Sequence, residues 1–265
     1  PLGTAMTSFV PMLLMTTASG ACIFAGGMLA RVERIRPRWL EQELRHTIIA
    51  FGGGVLLAAV AFVLVPEGQE YFPSPGGGVA IFLAGGVVFM LVERYLAAKR
   101  HQLPQTMAML LDFIPESLAM GGMFALGSPS APLLALLIGL QNLPEGFNAY
   151  REILGVANYR VRRTLYFMLM LGVAGPLAGS VGWPIAGEYP SLVGAIMLFA
   201  SGGILYLLFQ DIAPQAKLDR HWSPPLGAVL GFINGMTVIK SRATSFIITL
   251  GFGSVYKGIA LLISG

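Results

Sequence analysis

Between Leu111 and Glu145 the chain twice sets polar side chains around a proline inside an otherwise apolar run. The first copy reads Asp112-Phe113-Ile114-Pro115-Glu116-Ser117 and the second Gln141-Asn142-Leu143-Pro144-Glu145-Gly146. Asp112 and Glu116, and likewise Gln141 and Glu145, are four residues apart, so each pair projects from one helix face. Proline has no N–H for the carbonyl four residues back. The Leu111 and Leu140 carbonyls are therefore expected to lose their partners and both helices to kink. Carboxylates, amides and freed carbonyls at membrane depth form an oxygen-rich cation site, and an intramembrane ionisable residue is a functional-site hypothesis by default.

The energetics sharpen this expectation. One charged side chain at the bilayer centre costs about 2.5–3.5 kcal/mol on insertion scales. Asp112, Glu116 and Glu145 together must be neutralised by protons or by a cation. A lone carboxyl is often just hydrogen-bonded between helices. Three of them, in register with Gln141 and Asn142, favour a cation path over a purely structural network, and a proton-coupled path would use the same residues. Oxygen ligands suit manganese, ferrous iron or magnesium, whereas sulfur and imidazole would favour zinc or copper.

The elements that must position these residues are membrane helices. The chain has 265 residues, 55% hydrophobic and 11% charged, with mean hydropathy +0.72; soluble domains carry about 25% charged residues. At about 20 apolar residues per span, helices are expected near 7–30, 47–65, 79–98, 105–126, 131–150, 165–184, 191–213 and 225–239. The expected fold is an all-α bundle of eight transmembrane helices. A further apolar segment, 243–264, either joins the short eighth span as one bent element or stands as a ninth helix. Pro1 to Ala5 read as a tag remnant, leaving 6–265 as a single polytopic membrane domain. The first span has no basic region before it and no clear cleavage site, and reads as retained.

Charge gives the orientation. Alternating the loops by side collects Arg31, Arg34, Arg36, Arg38, Arg45, Arg94, Lys99, Arg100, Arg151, Arg160, Arg162, Arg163, Lys217 and Arg220 on one side, 14 of the 17 basic residues. The intervening loops 66–78, 127–130 and 185–190 hold none. By the positive-inside rule the basic side is cytoplasmic and the N-terminus lies outside. The net charge of +4 is spread over short loops and is no nucleic-acid footprint.

Other residues read more simply. Pro73 to Gly78 are expected to form a flexible external turn, and Glu67 an interfacial residue. Gly52-Gly53-Gly54 and Gly85-Gly86 read as close helix contacts. The methionines read mostly as packing, and Tyr150 and Trp183 as an interfacial belt. The lone Cys22 rules out an intrachain disulfide. His46, His101 and His221 fall on the basic side, where loop histidines are usually solvated. His221 with Gln210 and Asp211 would make a weak cytoplasmic exit site. No His-Glu-x-x-His, Gly-x-Ser-x-Gly or deep serine–histidine pair occurs, so an intramembrane enzyme is not expected.

On Pro115-Glu116 and Pro144-Glu145-Gly146 the chain resembles the ZIP (Zrt-, Irt-like) divalent metal transporters, in particular their compact bacterial branch. The fifth-helix motif of that family is closely matched by Gln141-Asn142-Leu143-Pro144-Glu145-Gly146. Gly175-Pro176 stands where the sixth helix usually carries Glu-Pro, and Gln210-Asp211-Ile212-Ala213-Pro214-Gln215 where the seventh has an acid before Pro-Glu. Phe51 to Ala59 is similar to the second helix, and the likeness runs from about residue 13 to 239. The resemblance implies an inner-membrane homodimer that carries a divalent metal such as zinc, iron, manganese or cadmium toward the cytoplasm. It implies an elevator-like or rocking movement of the site helices against a scaffold, with the metal as substrate and no cofactor. Carried over residue by residue, the metal site is Asp112, Glu116, Gln141 and Glu145. A second metal would need ligands at Phe113, Asn142 and Gly175, two of which have no ligating side chain, so at most one intramembrane site is expected. The alternative is a protein of this fold that no longer transports metal and serves as a sensor or interaction subunit.

Overall fold

The computed structural model describes residues 2–32, 38–98, 104–155, 160–217 and 222–241. The ninth apolar segment, His101 and His221 lie outside them. The described residues are almost entirely helical, joined by short turns, with no strand among them. Helix α1 spans Leu2–Val32, so Leu2 to Ala5 continue the first helix. Next come α2 (Arg38–Ala59), α3 (Val65–Tyr71), α4 (Pro75–Ala98), α5 (Pro104–Ala125) and α6 (Ala131–Gly155). They are followed by α7 (Val161–Gly172), α8 (Ala174–Glu188), α9 (Pro190–Leu207), α10 (Ala213–Ala216) and α11 (Ser223–Ser241).

Several of these join end to end. A π-helical turn, Val60–Leu64, links α2 to α3, and a second, Leu208–Ile212, links α9 to α10. Each ends two residues before a proline, Pro66 or Pro214. Proline offers no donor and its ring crowds the preceding turn, so the helix is relieved there by one wide turn. By contrast α5 and α6 remain α-helical through Pro115 and Pro144. Helices α7 and α8 meet at a break at Val173. The chain between Tyr71 and Pro75 is shorter than the expected external turn, because Pro75 to Gly78 already form the first turn of α4. Pro75 suits that position, where its missing N–H costs nothing.

Among the described residues, six rods are long and apolar enough to cross a membrane: Ser8–Val32, Arg45–Tyr71, Pro75–Leu96, Thr106–Ala125, Val161–Glu188 and Pro190–Ala216. This fits an integral membrane protein. Helix α6 falls outside that set because Gln141, Asn142, Glu145 and Asn148 interrupt its middle. Apolar side chains face outward in rows, as with Val79, Leu83, Val87 and Leu91 on α4, far more than a water-exposed surface normally shows.

The helices pack as two groups. In one, α1 lies mainly on α6 and α5 on α8, with α7 against α1. In the other, α11 lies mainly on α2 and α4 on α9. Glycines let backbones touch inside each group: a Cβ on Gly121 would stand 2.1 Å from the Gly179 carbonyl oxygen, and one on Gly54 would stand 2.1 Å from that of Ala228. Without a hydrophobic drive between helices in lipid, such close approach is a main source of association. Between the groups, the nearest glycine contacts are to side chains: Gly52 to Pro144 Cγ and Gly122 to Val193 Cγ1.

Candidate functional site

The polar centre of the molecule is the seam between α5 and α6. Pairing Asp112 with Glu116 and Gln141 with Glu145 by the four-residue rule brings all four to this seam. Asp112 is 3% exposed, and Glu116, Gln141 and Asn142 are completely buried; Glu145 is half-buried. Gln141 Nε2 donates to Glu116 Oε2 at 2.9 Å. Asn142 turns aside and donates through Nδ2 to the Ser19 carbonyl on α1 at 3.0 Å. The three carboxyl groups lie within electrostatic reach of one another, and Asp211, on the π turn after α9, lies within reach of Asp112.

Donors are scarce here. Asp112 Oδ1, Glu116 Oε1, Gln141 Oε1, Asn142 Oδ1 and Glu145 Oε2 are buried without a hydrogen-bond partner among the described residues. An orphaned buried acceptor costs about 1–3 kcal/mol, and α5 and α6 carry five of them, four on the seam and the fifth on Asn142 beside it. What satisfies several oxygens at once is a positive charge, as protons or as a metal ion. Among the described residues no three His, Cys, Asp or Glu side chains converge closely enough to hold a metal by themselves. A cation in this conformation would need the amide oxygens as well as the carboxylates.

Of the exit residues, Gln210 and Asp211 both lie near Glu93. Gln210 Nε2 donates to Glu93 Oε1 at 3.5 Å, Asp211 lies within electrostatic reach of Glu93, and His221 lies outside the described residues. His46 is half-buried on α2. Phe113, fully buried, rests its ring against Gly175. Tyr150 is 3% exposed, so it is a core residue and not part of an interfacial belt. Trp183 packs edge-on against Phe9. Glu67 accepts from Ser128 Oγ at 2.9 Å and so ties the first turn of α3 to the connection between α5 and α6.

The sequence reading missed three buried polar groups. Ser117 on α5, Asn148 on α6 and Asn234 on α11 each have a side-chain atom with no partner among the described residues. Asn148 was legible as a further polar position, seven residues after Gln141 and so on its face; Asn234, alone in an apolar helix, gave no such periodic signal. Glu93 also escaped notice at the end of its span, yet Tyr206 Oη donates to it. No protein-family model and no curated protein matches the chain.

Proposed function

We propose that the protein is a ZIP-like membrane transporter that moves divalent metal cations toward the cytoplasm through one site on the α5–α6 seam. The observation that carries this reading is the set of five donorless oxygens among three carboxyl and two amide side chains inside an apolar bundle. Glu116 and Glu145 flank the ion, Asp112 balances its second charge, and Gln141 completes the oxygen shell. The all-oxygen set favours manganese or ferrous iron over zinc. In this reading the chain makes eight spans, α1, α2/α3, α4, α5, α6, α7/α8, α9/α10 and α11, with the basic ends in the cytoplasm of a bacterial inner membrane and the N-terminus outside, as the positive-inside rule asks.

Alternating access comes from the first helix group, which holds the site, sliding against the second. Side-chain contacts at Gly52 and Gly122, in place of interlocked backbones, suit such a surface. The homodimer implied by the resemblance belongs to the same proposal, with the second group as its fixed part. The deciding experiment is uptake of manganese, ferrous iron, zinc and cadmium ions into liposomes, with the double variant Glu116→Ala, Glu145→Ala as control. Equal uptake by wild type and variant would rule the proposal out.

A second reading is favoured by Phe113 and Gly175: a protein of this fold that has lost transport and acts as a sensor or interaction subunit. Calorimetry of the purified protein separates the two. A folded sample that binds none of the four ions at neutral pH supports the second.

A further inference from the structure

Two hydrogen-bonded pairs fix how α5 and α6 run past each other. Gln141 meets Glu116 in the middle, while at the basic end Thr106 donates to Glu152 Oε2 through both its backbone N–H and its Oγ1, each at 2.9 Å. From Thr106 to Glu116 the first helix advances ten residues, and from Glu152 back to Gln141 the second retreats eleven. The register is therefore nearly constant. It sets Asp112 opposite Glu145, and Met109 opposite Asn148.

Gln141, Glu145, Asn148 and Glu152 follow one another at four, three and four residues, so they form one stripe along α6. Both ends of the stripe demonstrably face α5, so the stripe between them does too. Asn148 is 6% exposed, and its Oδ1 is buried without a partner among the described residues. Met109 across the seam, 2% exposed, has no donor to give it. A purely structural asparagine in an apolar bundle would bond its oxygen, because leaving it bare costs about 1–3 kcal/mol. The stripe is thus closed by hydrogen bonds at the basic end, and in the roughly two turns between there and the carboxylates it carries one buried oxygen without a partner, Asn148 Oδ1.

We propose that this stripe is the inner half of the cation path: Asn148 Oδ1 ligates the ion between the carboxylates and the cytoplasm, and the Thr106–Glu152 hydrogen bonds close the inner mouth. The inference rests on the transport reading above, and it routes the ion along α6 and not past Asp211.

The test is manganese uptake into liposomes by wild type and Asn148→Ala, with manganese binding to both in detergent. Loss of the relay oxygen is expected to slow uptake about tenfold and to leave equilibrium binding within twofold, since the carboxylates are untouched. A second measurement uses Asn148→Cys in a Cys22→Ser background. Cadmium ion is expected to protect this thiol from a small cationic thiol reagent applied at the cytoplasmic face, and adding Thr106→Val, which removes the hydroxyl donor, to speed the labelling several-fold. Asn148→Ala transporting at the wild-type rate would overturn the inference alone. So would a thiol at 148 that is unreactive with and without Thr106→Val, whether or not the alanine variant folds. A wild type that carries none of the four metal ions would bring down the transport reading and this inference together.

Discussion

The ring of Phe113 on α5 fills the space that a side chain on Gly175 of α8 would need. A Cβ at position 175 would stand 2.6 Å from Phe113 Cζ, and 2.9 Å from the Thr16 carbonyl oxygen on α1. Phe113 is completely buried, so the ring has nowhere to withdraw. The two residues without ligating side chains are therefore a matched pair: one is large where the other is empty. The ring packs where α5, α8 and α1 meet, one residue along α5 from Asp112.

Gly175→Ala is accordingly expected to destabilise the protein by about 1–3 kcal/mol, the usual cost of overpacking a full core. At this size that lowers the melting temperature by several degrees. Combined with Phe113→Leu, the added loss from Gly175→Ala should shrink by about half, because the ring is gone but the Thr16 carbonyl remains. Melts of the four proteins in one detergent give the coupling. Strict additivity would mean that the ring is not the obstacle.

Gly121 and Gly122 are neighbours on α5 with opposite expected behaviour. A Cβ on Gly121 would run into the Gly179 backbone of the same helix group, whereas one on Gly122 would meet the Val193 side chain of the other group at 2.5 Å. Gly121→Ala should abolish the folded yield whatever stands at 193. Gly122→Ala should fold and slow transport, and Val193→Ala should restore the rate. Size-exclusion profiles and uptake rates read both outcomes.

How far the sequence discloses this arrangement depends on the residue. The deep acids and amides were legible because Asp112, Glu116, Gln141 and Glu145 repeat at four-residue spacing within apolar runs. The helices were legible from apolar length. The wide turns leave no such signal, since a proline near the end of a span looks like a terminus: the rods in fact run on through π turns to Pro66 and Pro214. Pro115 and Pro144, where kinks are expected, lie inside uninterrupted α-helices. The division into two groups rests on which glycine faces which backbone, and no periodicity along one chain carries that information. Tyr150 is a related case: its position near a helix end suggests a membrane interface, but it is buried and lies against Gly27 of α1.

Tyr206 and Glu93 give a prediction about the second group. The Tyr206 hydroxyl donates to Glu93 Oε2 and so joins α9 to α4. Removing the hydroxyl in Tyr206→Phe should cost about 0.5–1.5 kcal/mol, the net worth of an ordinary hydrogen bond, and lower the melting temperature by a few degrees. Manganese affinity should stay the same, since neither residue belongs to the α5–α6 seam. A large loss of affinity in the variant would place Glu93 in the binding site.

The five donorless oxygens make a prediction of opposite sign for stability and binding. Replacing Glu145 by glutamine removes a charge and brings two N–H donors to a seam that has acceptors to spare. Without metal, Glu145→Gln should therefore be at least as stable as wild type, because a buried carboxyl lacking partners is costly and an amide that finds them is not. With metal the order should reverse. A ligand at a hundred times its dissociation constant stabilises the state that binds it by about 2.7 kcal/mol. Wild type should gain that increment in manganese, while the variant, with one carboxylate fewer to balance a divalent charge, should gain almost none. Paired melts with and without manganese test this directly. A variant less stable than wild type in the absence of metal would show that Glu145 is a structural group whose partners lie elsewhere, and an equal metal-induced rise in both proteins would remove Glu145 from the site.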